Sequence, residues 1–461
     1  MGPLHPVRKV RCVQHFEAGG IIGFRCGNEM ATIKLSEVMQ VKNSVTLDGG
    51  NKVTIDGQDK TRLFIGANEK NLILMNMTLT NGLSGDDKGA GAIHTGWRGN
   101  VGLVNVILEK NKNRSGKERA GGALSTHEGV GVVFKSTFRQ NEGSGNGGGI
   151  NNLLASLYVY NTTFEANTTG GSGGAIYSDG AGFYGDPVSA KRTKTMPRML
   201  SVCGTKFLNN VSNNGGAVYF FLYQDGADAT NFDSIQIDRT LVKGNKSNKT
   251  HAGGLYLQGA KSANKSVVIV KDTTLEGNST GSYGGGMIMS GPFESKLENV
   301  TFYGNEALGD NGQGAALFLE DAKITANNIT VVKNKALKAG GTLAGPGTVN
   351  AKNSIFIDNE VTQPWDKNKN NCHTPLASKG SGNFQYLGIS PASTACHAEI
   401  VNNVNPFPAG IPSLADNGGP VPTLALPKDS PILGKGSDCL QTDARAKTRP
   451  AACDPGAFQS P

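Results

Sequence analysis

Between Asn167 and Asn210 the chain carries Ala181-Gly182-Phe183-Tyr184-Gly185-Asp186, followed by Lys191, Arg192, Lys194 and Arg198. Cations beside a tyrosine suit an anionic glycan. β-Elimination at a uronate needs a positive charge to neutralise the carboxylate and a Tyr, His, Lys or Arg to take the proton. Tyr184, Lys191 and Arg192 are therefore candidate ligand-binding residues; the plainer reading is a solvated basic loop. A second basic run, Lys110, Lys112, Arg114, Lys117 and Arg119, is diluted by Glu109 and Glu118 and carries the same two readings. Tyr177, Tyr219 and Phe318 complete the candidate set, because ligand sites are lined by aromatic faces with a few polar groups among them.

Metal chemistry has weaker signals. His94 and His127 fall two residues apart in their repeat offsets and read as surface imidazoles. Cys372-His373 and Cys396-His397 lack the C-x-x-C spacing of zinc knuckles. Asp and Asn turns could take calcium, but no Gly-Gly-x-Gly-x-Asp run is sustained. The expectation is no metal and no cofactor. Cys203 reads as a small buried hydrophobe, and Asp86-Asp87 as an acidic turn.

These residues sit in a repeat. One pattern is Gly-Gly-Ala-aliphatic, as in Gly121-Gly122-Ala123-Leu124, Gly173-Gly174-Ala175-Ile176 and Gly215-Gly216-Ala217-Val218. The other is an apolar residue, two variable ones, then Asn, as in Phe138 to Asn141 and Phe302 to Asn305. From Asn111 to Asn359 the asparagines step by 30, 26, 43, 35, 33, 27, 29 and 25 residues. Alternating apolar and polar runs bounded by Gly, Asn and Ser predict short strands. A turn of about 25 residues can trace three of them, with successive turns about 4.8 Å apart. The prediction is an all-β, single-stranded parallel β-helix with capped ends: residues 1–60 as N-terminal cap and first coils, 61–360 as the repeats, and 361–461 as an irregular C-terminal cap. Stacking would make an asparagine ladder and glycine corners of positive φ.

The fourth position of the glycine pattern, Ile93, Leu124, Ile150, Ile176, Val218, Tyr256, Met287, Leu317 and Leu343, should point inward. Alternation then turns His94, Ser125, Asn151, Tyr177, Tyr219, Leu257, Ile288, Phe318 and Ala344 outward. That stripe is either a binding face or a surface covered by a loop.

The chain has 461 residues, 64 of them Gly, about twice the usual share. Gly-X-Y periodicity is absent, which excludes collagen, and no apolar run is long enough for a membrane-spanning helix. The net charge of +8, from 45 Lys+Arg against 37 Asp+Glu, is too dilute to single out nucleic acid. Six of the seven cysteines form sequence-local pairs, Cys12 with Cys26, Cys372 with Cys396 and Cys439 with Cys453. They read as stapled ends in an oxidising compartment. Met1-Gly2-Pro3-Leu4-His5-Pro6 shows no signal peptide. Eleven Asn-x-Ser/Thr sequons occur, but Asn167, Asn210, Asn245 and Asn278 among them are ladder positions, so the repeat itself explains them.

The alternating tetrads resemble those of polymorphic outer-membrane-protein passenger repeats. From about residue 19 to 458 the chain is also similar to secreted right-handed parallel β-helix proteins of the pectate-lyase-like superfamily that carry a sorting-associated C-terminal segment. That segment would be Asp416-Asn417-Gly418-Gly419-Pro420, Ser430-Pro431-Ile432 and Arg449-Pro450 through Cys453-Asp454-Pro455-Gly456-Ala457-Phe458. The resemblance implies right-handed winding and a secreted or cell-surface protein for adhesion, glycan binding or structural display. Its partner would be a polysaccharide or cell-surface glycan, not nucleic acid. The alternative it implies is a lyase or epimerase acting on an acidic glycan along the outward face. No sequence feature bears on oligomeric state.

Overall fold

The computed structural model describes residues 16–24, 26–86, 89–116, 121–181, 198–222, 233–261, 263, 266–363, 366–369, 372–373, 382–386 and 402–461. The chain divides into two compact units, Met1–Phe183 and Tyr184–Pro461. Both are wound from parallel strands, and the described residues of the chain as a whole make an all-β parallel solenoid of about ten turns with three parallel sheets.

One turn of the first unit runs through Leu124–His127, Val130–Phe134, Thr137–Arg139 and Glu142–Gly143. The next runs through Ile150–Leu153, Ser156–Tyr160, Thr163–Glu165 and Thr168–Thr169. They pair in register: Leu124 with Ile150, Val133 with Val159, Phe138 with Phe164, Glu142 with Thr168. Register is fixed because a slip of one residue would turn each inward column out to solvent. Phe138 and Phe164 stack at 4.8 Å between ring centroids, fully buried. In the second unit the same interior column is Phe207, Val242, Leu275, Phe302, Val331 and Phe356.

The predicted ladder is present. In the first unit Asn111 Nδ2 donates to Asn141 Oδ1 at 3.0 Å and Asn141 Nδ2 to Asn167 Oδ1 at 2.8 Å. In the second the chain of donations is Asn210, Asn245, Asn278, Asn305, Asn334, Asn359, at 2.9 to 3.0 Å. Each backbone amide of the column also donates to the next side chain, for example Asn278 N to Asn305 Oδ1 at 3.0 Å. All these side chains are fully buried. The ladder sequons Asn167, Asn210, Asn245 and Asn278 are thereby closed to modification in the folded chain. A second column of hydroxyls serves the other bend: Val106 N donates to Ser136 Oγ at 3.1 Å and Ser136 N to Thr162 Oγ1 at 3.3 Å.

The residue before each ladder asparagine has positive φ. Glycine fills the place at Gly244, Gly277 and Gly304, but Lys110, Gln140, Ala166, Asn209, Lys333 and Asp358 occupy it elsewhere. An L-residue held there costs roughly 1–2 kcal/mol, against the smaller entropic cost of glycine. Gln140→Gly, at an exposed corner with φ 54°, is expected to raise stability by about 0.5–1 kcal/mol, read as an upward shift in thermal midpoint.

Near the start, Phe16 is buried against Phe64 at 6.0 Å between rings, and Gly20–Gly23 pairs in parallel with Val45 to Asp48. At the far end Glu360–Gln363 turns back to pair antiparallel with Asp366–Lys369, which occupies an edge otherwise open to other chains. The cysteines divide. Cys439 and Cys453 are bonded, and Cys372 is held in a disulfide, while Cys396 lies outside the described residues. Of the expected Cys12–Cys26 staple only Cys26 is described, as a free thiol. It sits in a turn that its own carbonyl closes by accepting from Glu29 N at 3.3 Å, and Cys12 lies outside the described residues.

The C-terminal segment, expected as a cap, runs along the flank of the coils. Outward positions beside the interior column are charged at Lys243 and Glu276, which pair at 2.9 Å. In the following turns they become Tyr303, Val332 and Ile357. Phe407, Leu424, Leu426 and Ile432 pack on that apolar face with Val332, Ile355 and Ile357. Polar contacts continue it coil by coil. Thr274 Oγ1 donates to Pro422 O at 2.7 Å, Asn299 Nδ2 to Thr442 O at 2.9 Å and Asn353 Nδ2 to Ser437 O at 2.9 Å.

Asn299 also donates to Asp272 Oδ1 at 2.8 Å and accepts from Arg449 Nη2 at 3.1 Å. Burial pushes Asp272 up to about 6, against the Asn299 bond and nearby Lys271, which lower it. A carboxyl raised in the folded state stabilises below its unfolded value and loses that contribution as pH rises through the folded one. Wild type should therefore gain stability from Asp272 as pH falls from about 7 towards 4, and Asp272→Asn should lose that gain. His251, lowered by its burial, acts in the opposite sense. The difference between wild type and Asp272→Asn in chemical denaturation at pH 7 and pH 5 cancels that histidine.

Candidate functional site

Why the outward stripe forms in the second unit follows from register. Val218–Leu222, Leu255–Gly259, Met287–Ser290 and Leu317–Glu320 are consecutive strands of one sheet. Tyr219 aligns with Tyr256, Tyr256 with Ile288 and Ile288 with Phe318. The expectation that Tyr256 points inward and Leu257 outward is corrected. Gly254 takes the place of Ala217 and Leu255 that of Val218, as Gly286 and Met287 do in the next turn. Leu255 and Leu257 are fully buried, and Tyr256 joins Tyr219 on the outer face.

A second aromatic column stands beside the first. His251, Tyr283 and Gln313 are bridged in parallel just before the glycine pair of each turn. The two columns interlock: Tyr219 meets Tyr256 edge-on at 5.0 Å, His251 lies 5.7 Å from Tyr256 and 5.5 Å from Tyr283, and Tyr283 stacks on Phe318 at 4.6 Å. Tyr256 and Ile288 are buried beneath this layer, while Tyr219, Tyr283 and Phe318 remain half-buried. The stripe is therefore part covered and part open.

Polar groups border it. Tyr219 OH donates to Gln258 Oε1 at 2.6 Å, and Ser290 Oγ donates to Glu320 Oε2 at 2.9 Å. Burial pushes the Tyr256 hydroxyl up to about 12, and the charge of Glu320 adds to this. Burial holds the His251 imidazole below its ordinary value, with Glu320 opposing. At neutral pH the histidine is uncharged and the Tyr256 hydroxyl keeps its proton, with the Glu320 carboxylate at the border of the platform. Such a set stacks and hydrogen-bonds.

The other candidates fall elsewhere. Tyr177 belongs to the first unit, aligned with Asn151; there the stripe is polar, with Ser125 and Asn151 buried and Asn151 Nδ2 donating to Asn146 O at 2.9 Å. Tyr184, Lys191 and Arg192 lie outside the described residues. His94 aligns with Ser125 and His127 with Leu153, which keeps the two imidazoles on different columns. His127 Nε2 lies 3.4 Å from Glu128. Among the described residues no three His, Cys, Asp or Glu side chains group as metal ligands. Cys203 is half-buried rather than a core residue, its sulfur accepting from Arg239 Nη2 at 3.0 Å. The sequence reading missed His251 and Tyr283, although each stands two residues before its Gly-Gly pair or directly at it.

In the first unit one stretch holds the whole repeat signature at once: Thr163–Glu165, ladder residue Asn167, and Gly173-Gly174-Ala175-Ile176 leading into Ile176–Asp179. Residues 161–179 match the Chlamydia polymorphic membrane protein repeat. The stretch that is similar to this repeat is wound into the parallel coils of the first unit. No curated protein and no solved structure matches the chain. No helix among the described residues is long and apolar enough to cross a membrane.

Proposed function

We propose that the chain is a surface-displayed or secreted β-solenoid that binds glycan on the aromatic platform of its second unit. The observation that carries this is the pair of interlocked columns, with Tyr219, Tyr283 and Phe318 half-open to solvent and Gln258, Ser290 and Glu320 at their border. Display outside the cell draws support from the polymorphic membrane protein repeat at 161–179. The likeness of the coil to pectate-lyase-like β-helices, and of Asp416 to Phe458 to a sorting-associated segment, supports it too.

The charge on the platform is Glu320, so the ligand it suits is a neutral glycan; a uronate would meet a like charge. The acidic-glycan enzyme reading rests on Tyr184, Lys191 and Arg192, which the described residues do not include. Calorimetric titration with neutral and uronate oligosaccharides tests the proposal. Tyr283→Ala and Phe318→Ala should each weaken neutral-glycan binding about 10-fold, the scale of one aromatic contact. Equal affinity of wild type and both variants, or tighter binding of the uronate, would remove the platform as the site.

A further inference from the structure

We infer that residues 404–461 form a latch that closes on the flank of the second unit once the Cys439–Cys453 disulfide has formed, and that the coils beneath stand without it. The docking surface is built from one corner position repeated in three successive turns, Asn299, Asn328 and Asn353, all with positive φ. Each presents its amide to the segment in both senses. Asn299 donates to Thr442 O and accepts from Arg449. Asn328 donates to Asp454 O at 3.3 Å and accepts from Leu440 N at 3.2 Å. Asn353 donates to Ser437 O and accepts from Ser437 N at 3.1 Å. At Asn328 and Asn353 this two-way amide pairing reads backbone irrespective of side chain, while Asn299 takes the Arg449 guanidinium, and the spacing of the three asparagines measures correctly stacked coils.

The disulfide closes the loop that carries Leu440, Thr442 and Arg449, with Ser437 and Asp454 flanking it. Cys439 precedes Leu440 and Cys453 precedes Asp454, so one covalent bond sets both backbone groups that grip Asn328. On the other side of that loop, Ala457 N donates to Thr330 Oγ1 at 2.9 Å and Gly456 N to Asn353 O at 2.8 Å. Gly456, at φ 89°, lies so close to the coils that a Cβ there would come within 2.7 Å of Ile355 Cδ1 and Thr330 Oγ1. The asparagine ladder is bonded independently of the segment: Asn245, Asn278 and Asn305 bond to one another and to coil carbonyls. Opening the latch leaves those bonds in place.

The experiment is hydrogen exchange on the full chain, oxidised and reduced, with Cys453→Ser and Gly456→Ala alongside. A loop of this length closed by a disulfide changes the docking equilibrium about a hundred-fold. Reduction and Cys453→Ser should each speed exchange at Ser437, Leu440, Gly456 and Ala457 by about that factor. Gly456→Ala should do so with the disulfide intact. In all three the amides of Asn245, Asn278 and Asn305 should keep their wild-type protection. Unchanged exchange in the segment on reduction would overturn the redox dependence. Loss of ladder protection together with the segment would show one cooperative unit and overturn the latch. Neither outcome touches the glycan platform, which is scored separately by titration.

Discussion

Asn278→Ala is expected to cost the second unit about 3–5 kcal/mol, a fall of about 10 °C in thermal midpoint. The side chain donates to Asn305 Oδ1 and to Val242 O, both at 2.9 Å, and accepts from Asn245 N and Nδ2, both at 3.0 Å. Alanine removes all four bonds and leaves Asn245 N and Val242 O buried without these partners. A buried group left unsatisfied costs about 1–3 kcal/mol, far more than the roughly 1 kcal/mol an average hydrogen bond contributes. Water cannot repair the loss, because the column is fully buried. Asn248→Ala, at an exposed site on the neighbouring strand Lys246–His251, is the control and should stay within about 0.5 kcal/mol of wild type. A midpoint for Asn278→Ala within the same margin would mean that the ladder accompanies the stack without holding it.

Arg449→Met is the second large effect, and it falls on the C-terminal segment. Arg449 is 8% exposed, and its guanidinium donates to Asp454 O at 2.9 Å, Gly456 O at 2.8 Å and Asn299 Oδ1 at 3.1 Å. Burial pulls it down to about 10, with Asp443 and Asp454 opposing, so it remains a cation at neutral pH. Methionine matches the stem but leaves three buried acceptors without this donor. Breaking such a buried charged hub costs about 3–5 kcal/mol, enough to raise the open population of the segment more than a hundred-fold. Limited proteolysis should cut the segment faster by a similar factor. Neighbouring Asp443 forms its own cluster: burial would raise it, but the amides of Lys447 and Gln459 and the Arg445 guanidinium hold it below the usual carboxylate range. Cleavage at the wild-type rate would place the grip elsewhere in the segment.

Much of the fold was legible because a solenoid repeats its signals. The asparagine steps mark the ladder, and Phe138, Phe164 and Phe207 mark the interior, since both depend only on residue type at one offset. Counting on from Gly253-Gly254 misreads the register at Tyr256, because it puts Leu255 in the alanine position, whereas Gly254 fills it and Leu255 is the inward residue. His251 and Tyr283 escaped because they lie outside the glycine pattern, in turns whose length varies. The flanking course of the C-terminal segment had a signal that went unread. Outward positions change from Lys243 and Glu276 to Tyr303, Val332 and Ile357, and an apolar outer face must be covered by something.

The ladder also has a direction. A ladder asparagine such as Asn245 or Asn278 gives its backbone amide and one side-chain N–H to the asparagine of the turn that follows and receives with its Oδ1 from the turn before. A partly wound stack therefore ends in waiting donors, and each arriving turn brings the acceptor they need. A chain delivered from its N-terminus would meet such a template of donors at every step.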